Sequence, residues 1–224
     1  MTKASSSSRD SLLRFGTILA DPPWQFCNRT GKMAPEHRRL HRYKTMRLAE
    51  ICSLPVPDIA APQSHLYLWV PNALLAEGLE VMRAWGFTYK TNIVWYKVRK
   101  DGGPDGRGVG FYFRNVKELL LFGVRGRLRT DTPGRTAVNI LISRKQEHSR
   151  KPLLVYDLVE KCSPGPYLEL FARGARDGWA QWGDEAPHGG DLVHMARKLY
   201  KSVAVEKKQI LQPGAQIRMP LIQA

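Results

Sequence analysis

The chain has 224 residues, of which 43% are hydrophobic, and these values are typical of one globular domain with a sizeable core. Lysine and arginine number 35 against 20 acidic residues, so the formal net charge at pH 7 is +15. An excess of this size favours a polyanionic partner through release of condensed counterions, and nucleic acid is the leading candidate. Solubility and anionic membrane surfaces also explain basic chains, so charge alone leaves these alternatives open.

The cysteines indicate a reducing compartment. Cys27, Cys52 and Cys162 are odd in number and far apart, and none has the Cys-x-x-Cys spacing of a zinc or redox pair. We therefore expect a cytoplasmic protein without a metal site. No apolar run approaches the roughly 20 residues that span a bilayer, so no membrane partner is expected. The Ser-rich start has no signal-peptide core, and a disordered arm is predicted over residues 1–14.

A short apolar run, residues 15–20 (FGTILA), opens the folded part of the chain. It stops at Asp21 and two prolines, which is the pattern of a buried parallel strand that ends in a rigid loop, because proline cannot extend the ladder. Further strands are predicted at residues 65–70, 89–96, 117–122, 139–143 and 167–172. Several are almost continuously apolar, as strands covered on both faces are.

Helical patterns lie between these strands. Residues 71–85 have helical periodicity, with a proline at the start and Gly86 after the end, and residues 151–161 form a second amphipathic pattern. Alternating strands and helices predict an α/β fold with a doubly wound, mostly parallel sheet over residues 15–186. Beyond it, residues 187–224 are expected to form a C-terminal basic helix, at about residues 191–208, and a tail.

The strongest chemical signal is Asp21-Pro22-Pro23-Trp24. A carboxylate at the carboxyl end of a strand can accept one hydrogen of an exocyclic amine, and the next carbonyl can accept the other if prolines fix the backbone. Such acceptors turn an adenine nitrogen toward the tetrahedral geometry from which it attacks a methyl group. The Trp24 ring would give an extruded base a stacking surface. An ordinary proline-rich turn is the structural alternative, but open α/β sheets bind ligands at this end of their strands.

Further blocks follow in order. They are YKTM at residues 43–46, LYLWV at 66–70, NIVWYK at 92–97, GFYFRNVKELLLFGVRG at 110–126, HSRKP at 148–152, LELFAR at 168–173 and GWAQWG at 178–183. Together with LADPPW they make the chain similar to the MT-A70 family of N6-adenine methyltransferases. The resemblance implies a Rossmann-like class I methyltransferase fold, S-adenosyl-L-methionine as cofactor, and a permuted order in which the catalytic motif precedes the cofactor motif.

S-adenosyl-L-methionine has a carboxylate and a ribose diol, so its site needs a cation and an acidic or amide group. Lys151 precedes a predicted helix start, and the resemblance places it on the methionine carboxylate. A surface lysine, and an ion pair between Glu169 and Arg173, are the structural alternatives. Asp184 and Glu185 stand where the family's messenger-RNA enzyme has an Asn-Gln pair. The expected cofactor residues are Asp21, Lys151, Glu169, Leu170, Phe171, Arg173, Asp184 and Glu185.

Two stretches without a strong period, residues 25–47 and 98–114, are rich in glycine and basic residues. Basic residues interleaved with Tyr and Phe suit phosphate contact and base stacking, although solvated loops are the alternative. Tyr43 is the leading candidate, because its block aligns with a family loop that closes over the target base. The expected substrate residues are Arg38, Arg39, Tyr43, Lys44, Arg99, Lys100, Arg114, Asn115 and His148.

The sequence therefore predicts a methyltransferase that acts on the N6 amine of adenine in DNA, with RNA as the alternative substrate. Asp21, Pro22, Pro23 and Trp24 are the expected catalytic residues. A catalytically inactive nucleic-acid-binding subunit is the alternative of another class, and the intact motif and Lys151 argue against it. The charge disfavours a small-molecule or protein substrate. A homodimer is compatible with the sequence.

Overall fold

The computed structural model describes residues 12–25, 45–106, 112–144 and 150–210, with residues 203–210 as backbone only. The strands are β1 (Phe15–Ala20), β2 (Ala60–Val70), β3 (Thr88–Val98), β4 (Lys117–Arg125), β5 (Ile140–Arg144), β6 (Tyr167–Leu170) and β7 (Trp179–Trp182). The helices are α1 (Leu48–Cys52), α2 (Val56–Ile59), α3 (Leu75–Ala84), α4 (Leu154–Cys162) and α5 (Leu192–Ile210). In this part of the chain, no helix is long and apolar enough to cross a membrane.

The described strands form one sheet in the order β5-β3-β4-β2-β1-β6-β7. Neighbouring strands are parallel except at β4, which runs antiparallel to both β2 and β3. The predicted α/β fold with a mostly parallel sheet is confirmed, while the permuted motif order stays a prediction. The parallel strands end, and β4 begins, at one edge of the sheet, which is named the carboxyl edge. The opposite edge is named the amino edge.

Side chains alternate between two hydrophobic cores, because successive residues of a strand point to opposite faces. In β2, Leu66 and Leu68 are fully buried in a first core, to which α1, α2, α3 and α5 contribute. Tyr67 and Trp69 lie in a second core, together with Val155 of α4. Helices thus cover both faces of the sheet, as in a doubly wound arrangement.

Most predicted elements are present, with shifts at their ends. β1 has the predicted bounds, and β2 begins five residues before the predicted start. The helix predicted from residue 71 is α-helical only from Leu75. β6 ends two residues early because Phe171 has a φ of 64° and leaves the strand. β7, α1 and α2 were not predicted, since each has only four or five residues and gives too short a periodic signal.

Parts of the predicted arm and of the predicted C-terminal helix pack against the first core. The amide of Leu13 donates to the Ala196 carbonyl at 3.3 Å, so the chain is already ordered before β1. Residues 1–11 lie outside the described residues. In α5, Leu192 and Met195 are 2% and 4% exposed. The first half of the basic helix is therefore a layer of the domain rather than a solvated appendage.

A polar cluster is buried near the amino edge, where His65 Nδ1 and the Tyr67 hydroxyl lie 2.7 Å and 2.8 Å from the Ser163 hydroxyl. All three residues are almost fully buried. Burial disfavours the charged imidazolium and lowers the pKa of His65, against smaller opposing effects of the Leu128 backbone and Asp131. His65 is therefore a neutral hydrogen-bonding group inside the fold.

We predict that the free energy of unfolding falls as pH drops below about 6.5, by at most about 1.4 kcal/mol per pH unit from this residue. The sign follows because the unfolded chain takes up a proton on His65 in this window while the folded chain does not. Chemical denaturation at several pH values would measure it. His65→Phe should reduce the dependence, whereas the exposed control His194→Gln should not. Equal pH dependence in all three proteins would contradict the assignment.

Candidate active site

Asp21 directly follows β1 at the carboxyl edge, and a lysine from a distant part of the chain holds its carboxylate. Lys151 Nζ donates to Asp21 Oδ2 at 2.9 Å, although the two residues are 130 positions apart. The Asp21 side chain is 28% exposed. Its other oxygen, Oδ1, accepts no hydrogen bond from the described residues and so keeps its acceptor capacity. The predicted catalytic aspartate and the predicted cofactor lysine thus belong to one cluster.

The same lysine contacts a second carboxylate. Lys151 Nζ lies 3.3 Å from Glu118 Oε2, and Glu118, the second residue of β4, also pairs through Oε1 with Lys97 at the end of β3. Charges therefore alternate along the row Lys97, Glu118, Lys151 and Asp21. Two ammonium groups and two carboxylates cancel, and this row is named the charge cluster.

Burial and charge act in opposite directions on this cluster. Burial favours a neutral Glu118, but the charges of Lys151 and Lys97 outweigh it and hold the pKa of Glu118 below its usual value. Burial likewise opposes the ammonium of Lys151, but Asp21 and Glu118 hold the pKa of Lys151 above its usual value. Both groups are charged at neutral pH.

Two buried tryptophans support the lysines of the charge cluster. Lys97 Nζ lies 4.6 Å from the centroid of the Trp95 ring, and Lys151 Nζ lies 5.4 Å from that of Trp69. The two rings meet edge to face with centroids 6.1 Å apart. Cations over aromatic faces are attracted by the ring quadrupole, so these rings help to fix both ammonium groups.

Trp24 lies in the first core and is only 6% exposed. Its indole N–H donates to the Trp69 carbonyl at 3.0 Å. The ring therefore fastens the Pro-Pro segment to the end of β2, which differs from the predicted role as a stacking surface for a base. The difference follows because the apolar ring gains from burial in the core, where its N–H also finds a carbonyl acceptor.

The backbone after Asp21 is fixed by three further hydrogen bonds. The Asp21 amide donates to the Leu170 carbonyl at 3.4 Å, which ties the end of β1 to the end of β6. The Trp24 amide donates to the Pro22 carbonyl at 2.8 Å, and the Met46 amide donates to the Pro23 carbonyl at 2.9 Å. A carbonyl oxygen has two lone pairs, so the Pro22 carbonyl can accept a second hydrogen bond beside Asp21.

Glu169, the third residue of β6, is held by two neutral donors. The Tyr156 hydroxyl donates to Oε1 at 2.8 Å, and Gln181 Nε2 donates to Oε2 at 3.0 Å. Burial and the charge of Glu169 raise the pKa of Tyr156, so its hydroxyl remains a donor at neutral pH. Each carboxylate oxygen keeps lone pairs for a further donor.

The ends of β6 and β7 are closely apposed. Phe171 has a positive φ, and its ring packs edge to face against the Trp182 ring, with 5.6 Å between the two centroids. This backbone conformation is strained for an aromatic residue and persists only where surrounding contacts determine it. Gly183 allows the approach, because a Cβ there would lie 2.7 Å from the Ala172 carbonyl oxygen. Leu170 is fully buried, so only its backbone is available to the site.

The remaining predicted cofactor residues, Arg173, Asp184 and Glu185, follow β6 and β7 at the carboxyl edge and are exposed. The carboxyl edge therefore brings together the expected cofactor residues from three neighbouring strands, β1, β6 and β7, and from the segment before α4.

The segment predicted as a basic loop over residues 98–114 is partly a tight turn. The Arg99 amide donates to the Gly103 carbonyl at 2.8 Å, and the Asp105 amide donates to the Lys97 carbonyl at 2.9 Å. Arg99 and Lys100 are both exposed, but the Arg99 guanidinium pairs with Asp101 at 2.9 Å, whereas Lys100 forms no ion pair with the described residues. Lys97, which directly precedes this segment, belongs to the charge cluster.

Exposed aromatic side chains stand immediately before β4. Tyr112 and Phe113 are 95% and 86% exposed, Arg114 is exposed, and Asn115 is half-buried and bonded. Because β4 begins at the carboxyl edge, these residues lie on the same side of the sheet as Asp21. The expected substrate residues outside the described ranges are Arg38, Arg39, Tyr43, Lys44 and His148.

Sequence reasoning missed Glu118 as a site residue. It lies in a predicted strand, and only the antiparallel direction of β4 brings the start of that strand to Asp21. A charged residue at the start of an apolar strand was the available signal. Across the described ranges, no group of three or more His, Cys, Asp or Glu side chains is arranged to hold a metal ion.

Comparison of the sequence with known proteins identifies its family. Residues 15–185 match the MT-A70 family model. The chain is 30% identical over 193 residues to the type II methyltransferase M.MunI of Mycoplasma sp., with 78% of each chain covered. It is 32% identical over 191 residues to the human N(6)-adenine-specific methyltransferase METTL4, covering 76% of this chain and 37% of that protein. It is 27% identical over 186 residues to the human N(6)-adenosine-methyltransferase catalytic subunit METTL3, covering 81% and 29%. The chain belongs to the MT-A70 family.

Proposed function

We propose that the protein is an S-adenosyl-L-methionine-dependent methyltransferase that acts on the N6 amine of adenine in DNA. The observation that carries the proposal is the position of Asp21, which Lys151 holds through Oδ2 while Oδ1 keeps its acceptor capacity. Membership of the MT-A70 family and the names of METTL4 and METTL3 support the choice of an adenine amine.

The adenine amine is a weak nucleophile because its lone pair is delocalised into the ring. Asp21 Oδ1 and the Pro22 carbonyl would each accept one of its hydrogens and turn the nitrogen toward tetrahedral geometry. The nitrogen so oriented would take up the methyl group, and its extra proton would pass to Asp21 or to solvent. Lys151 and the Trp24 anchor contribute by holding the two acceptors in place.

The donor set of the carboxyl edge fits the proposed cofactor, which supplies an activated methyl group on a sulfonium sulfur. Lys151 is a cation with 18% of its side chain exposed, and it would hold the methionine carboxylate. Glu169, already oriented by Tyr156 and Gln181, would accept hydrogen bonds from the ribose hydroxyls. Phe171 and the exposed Arg173, Asp184 and Glu185 follow β6 and β7 at the same edge, and we expect them to contact the adenosine part.

The alternative functions differ in the substrate that the protein would bind and methylate. The net charge of +15 and the exposed Tyr112, Phe113 and Arg114 favour a nucleic acid over a small molecule. The similarity to M.MunI across 78% of both chains supports the proposal of DNA, while METTL3 keeps RNA as the alternative. An inactive binding subunit would bind nucleic acid without methyl transfer.

The deciding experiment is incubation with labelled S-adenosyl-L-methionine and matched single- and double-stranded DNA and RNA, followed by mass spectrometry of the nucleosides. N6-methyldeoxyadenosine is expected. Label in adenosine of RNA alone would select the alternative substrate. Binding without transfer to any substrate would select the inactive subunit.

We predict that Asp21→Asn lowers turnover by roughly a hundredfold or more, because an amide can present a donor where the amine needs an acceptor. Asp21→Ala should abolish transfer. Single-turnover methylation would measure both effects. Cofactor affinity should change less than turnover. Asp191→Asn, an exposed carboxylate at the start of α5, is the matched control and should leave turnover unchanged. Near-normal turnover of Asp21→Asn would remove Asp21 from the chemistry.

Lys151→Met should weaken cofactor binding about ten- to a hundredfold, because it removes a charge-assisted hydrogen bond worth about 1.5–3 kcal/mol. It should also lower the free energy of unfolding, since Asp21 loses its cation while Glu118 keeps Lys97. This loss should be less than the roughly 3–5 kcal/mol of a fully buried pair, because this pair is partly exposed. Calorimetric titration and denaturation would measure the two effects. Adding Asp21→Asn should recover part of the stability but not cofactor affinity, because Glu118 still pairs with Lys97 after the loss of Lys151. Lys161→Met is the exposed control. If Lys151→Met behaves like this control, Lys151 is only a surface lysine.

Phe113→Ala and Arg114→Ala should weaken nucleic-acid binding in different ways. Loss of a stacking ring should cost about 1–3 kcal/mol per base on single strands and leave the salt dependence unchanged. Loss of the arginine should reduce the slope of log affinity against log salt by about one. Lys100→Ala should reduce that slope more than Arg99→Ala, because Asp101 already compensates Arg99. Unchanged affinity for nucleic acid in all four variants would show that the segment carrying these residues is a solvated loop without a role in binding.

A further inference from the structure

A basic cleft lies at the amino edge, away from Asp21. Its volume is about 380 Å³. It lies between the segment before β1, the α2 region, the end of β4 and α5, and its lining residues are Leu12, Arg14, Pro57, Asp58, Arg125, Val193 and Arg197. Three guanidinium groups and one carboxylate line it, which leaves an excess of two positive charges. The proposed methyl transfer at the carboxyl edge does not use it.

Two of the arginines are held in place without losing their charge. Arg14 donates to the Asp58 carbonyl at 2.9 Å, and Arg125 donates to the Pro57 carbonyl at 2.7 Å. Both acceptors are neutral backbone groups. Within the described ranges, none of the three arginines forms an ion pair with a carboxylate. The cleft therefore presents preorganised guanidinium groups whose remaining N–H donors suit an anion.

The third arginine comes from α5. Arg197 is exposed and follows Val193 by four residues, so both lie on the helix face that lines the cleft. Beyond Arg125, the chain continues into the exposed Arg127 and Arg129 at the same edge. Further exposed basic residues thus follow the cleft in the chain, which suits a ligand with several anionic groups in a row better than one small anion.

We infer that this cleft binds a backbone phosphate of the nucleic-acid substrate, at a point remote from the target adenine. The inference rests on the proposed function for the identity of the substrate. Arg14 and Asp21 stand on either side of β1, whose six residues at about 3.3 Å each separate them by roughly 20 Å. At about 3.4 Å per nucleotide along a duplex whose axis follows β1, a phosphate contacted there lies about six nucleotides from the adenine.

The test compares Arg197→Glu with Lys198→Glu, an equal charge reversal at the next exposed residue of the same helix, which does not line the cleft. Both variants should keep the melting temperature of the parent. On a DNA of about 24 nucleotides, Arg197→Glu should bind at least about fivefold more weakly than Lys198→Glu, with a salt slope lower by about one. On a DNA of about six nucleotides centred on the adenine, the two variants should bind equally.

Asp58→Asn should change the affinity for DNA in the direction opposite to Arg197→Glu. Removal of its one lining carboxylate should strengthen binding of the longer DNA about two- to fivefold. If Arg197→Glu and Lys198→Glu bind the longer DNA equally, or if Asp58→Asn weakens binding, the inference is wrong. A third outcome is that inorganic phosphate competes with DNA at constant ionic strength while the variants bind DNA equally. That outcome would assign the cleft to a small phosphate-bearing ligand instead.

Methyl transfer by the parent to the longer DNA tests the proposed function separately. Absence of transfer there would overturn that function, while the binding comparison on the same DNA would still decide whether the cleft takes a backbone phosphate.

Discussion

The contact between Lys151 and Asp21 is the constraint on which the site depends. It joins the residue after β1 to the segment before α4, and it forms only when the sheet and its covering helices are assembled. Lys151 also reaches Glu118, so one ammonium group fixes carboxylates from two strands. A buried charge is stable in a protein only when it is paired, and here each member of the charge cluster has a partner of opposite sign.

The surroundings of the charge cluster strengthen this constraint. Trp69 and Trp95 remove water from one side of the lysines, so the electrostatic interactions act in a medium of lower dielectric than bulk water. Trp24 uses its own N–H to bind the Trp69 carbonyl and thereby couples the Pro-Pro segment to the same aromatic group. The acceptor positions around Asp21 are thus set by the packing of the core, which is the form of preorganisation that catalysis requires.

The carboxyl and amino edges of the sheet differ in how the charges of their side chains are compensated. At the carboxyl edge, opposite charges are paired and partly buried, and they position polar acceptors. At the amino edge, arginines are bonded to neutral carbonyls and retain their charge. In the proposed function, a long polyanion would gain from uncompensated cations far from the target base, because they would add affinity without disturbing the chemistry. This division is how a strongly basic chain holds a charge cluster that is neutral in sum.

The sequence by itself determined the strand before Asp21, most of the longer elements, the mostly parallel sheet and the similarity to the MT-A70 family. Those features follow from local apolar periodicity and from a motif whose residues are adjacent in the chain. It did not determine the burial of Trp24, the contact of Lys151 with Asp21, or the membership of Glu118 and Lys97 in the charge cluster. Each depends on which strands become neighbours and on the direction of β4, and residues far apart in sequence carry no periodic signal of their pairing. Only tertiary structure decides which charges are compensated, because an ion pair is defined by distance in space rather than by position along the chain.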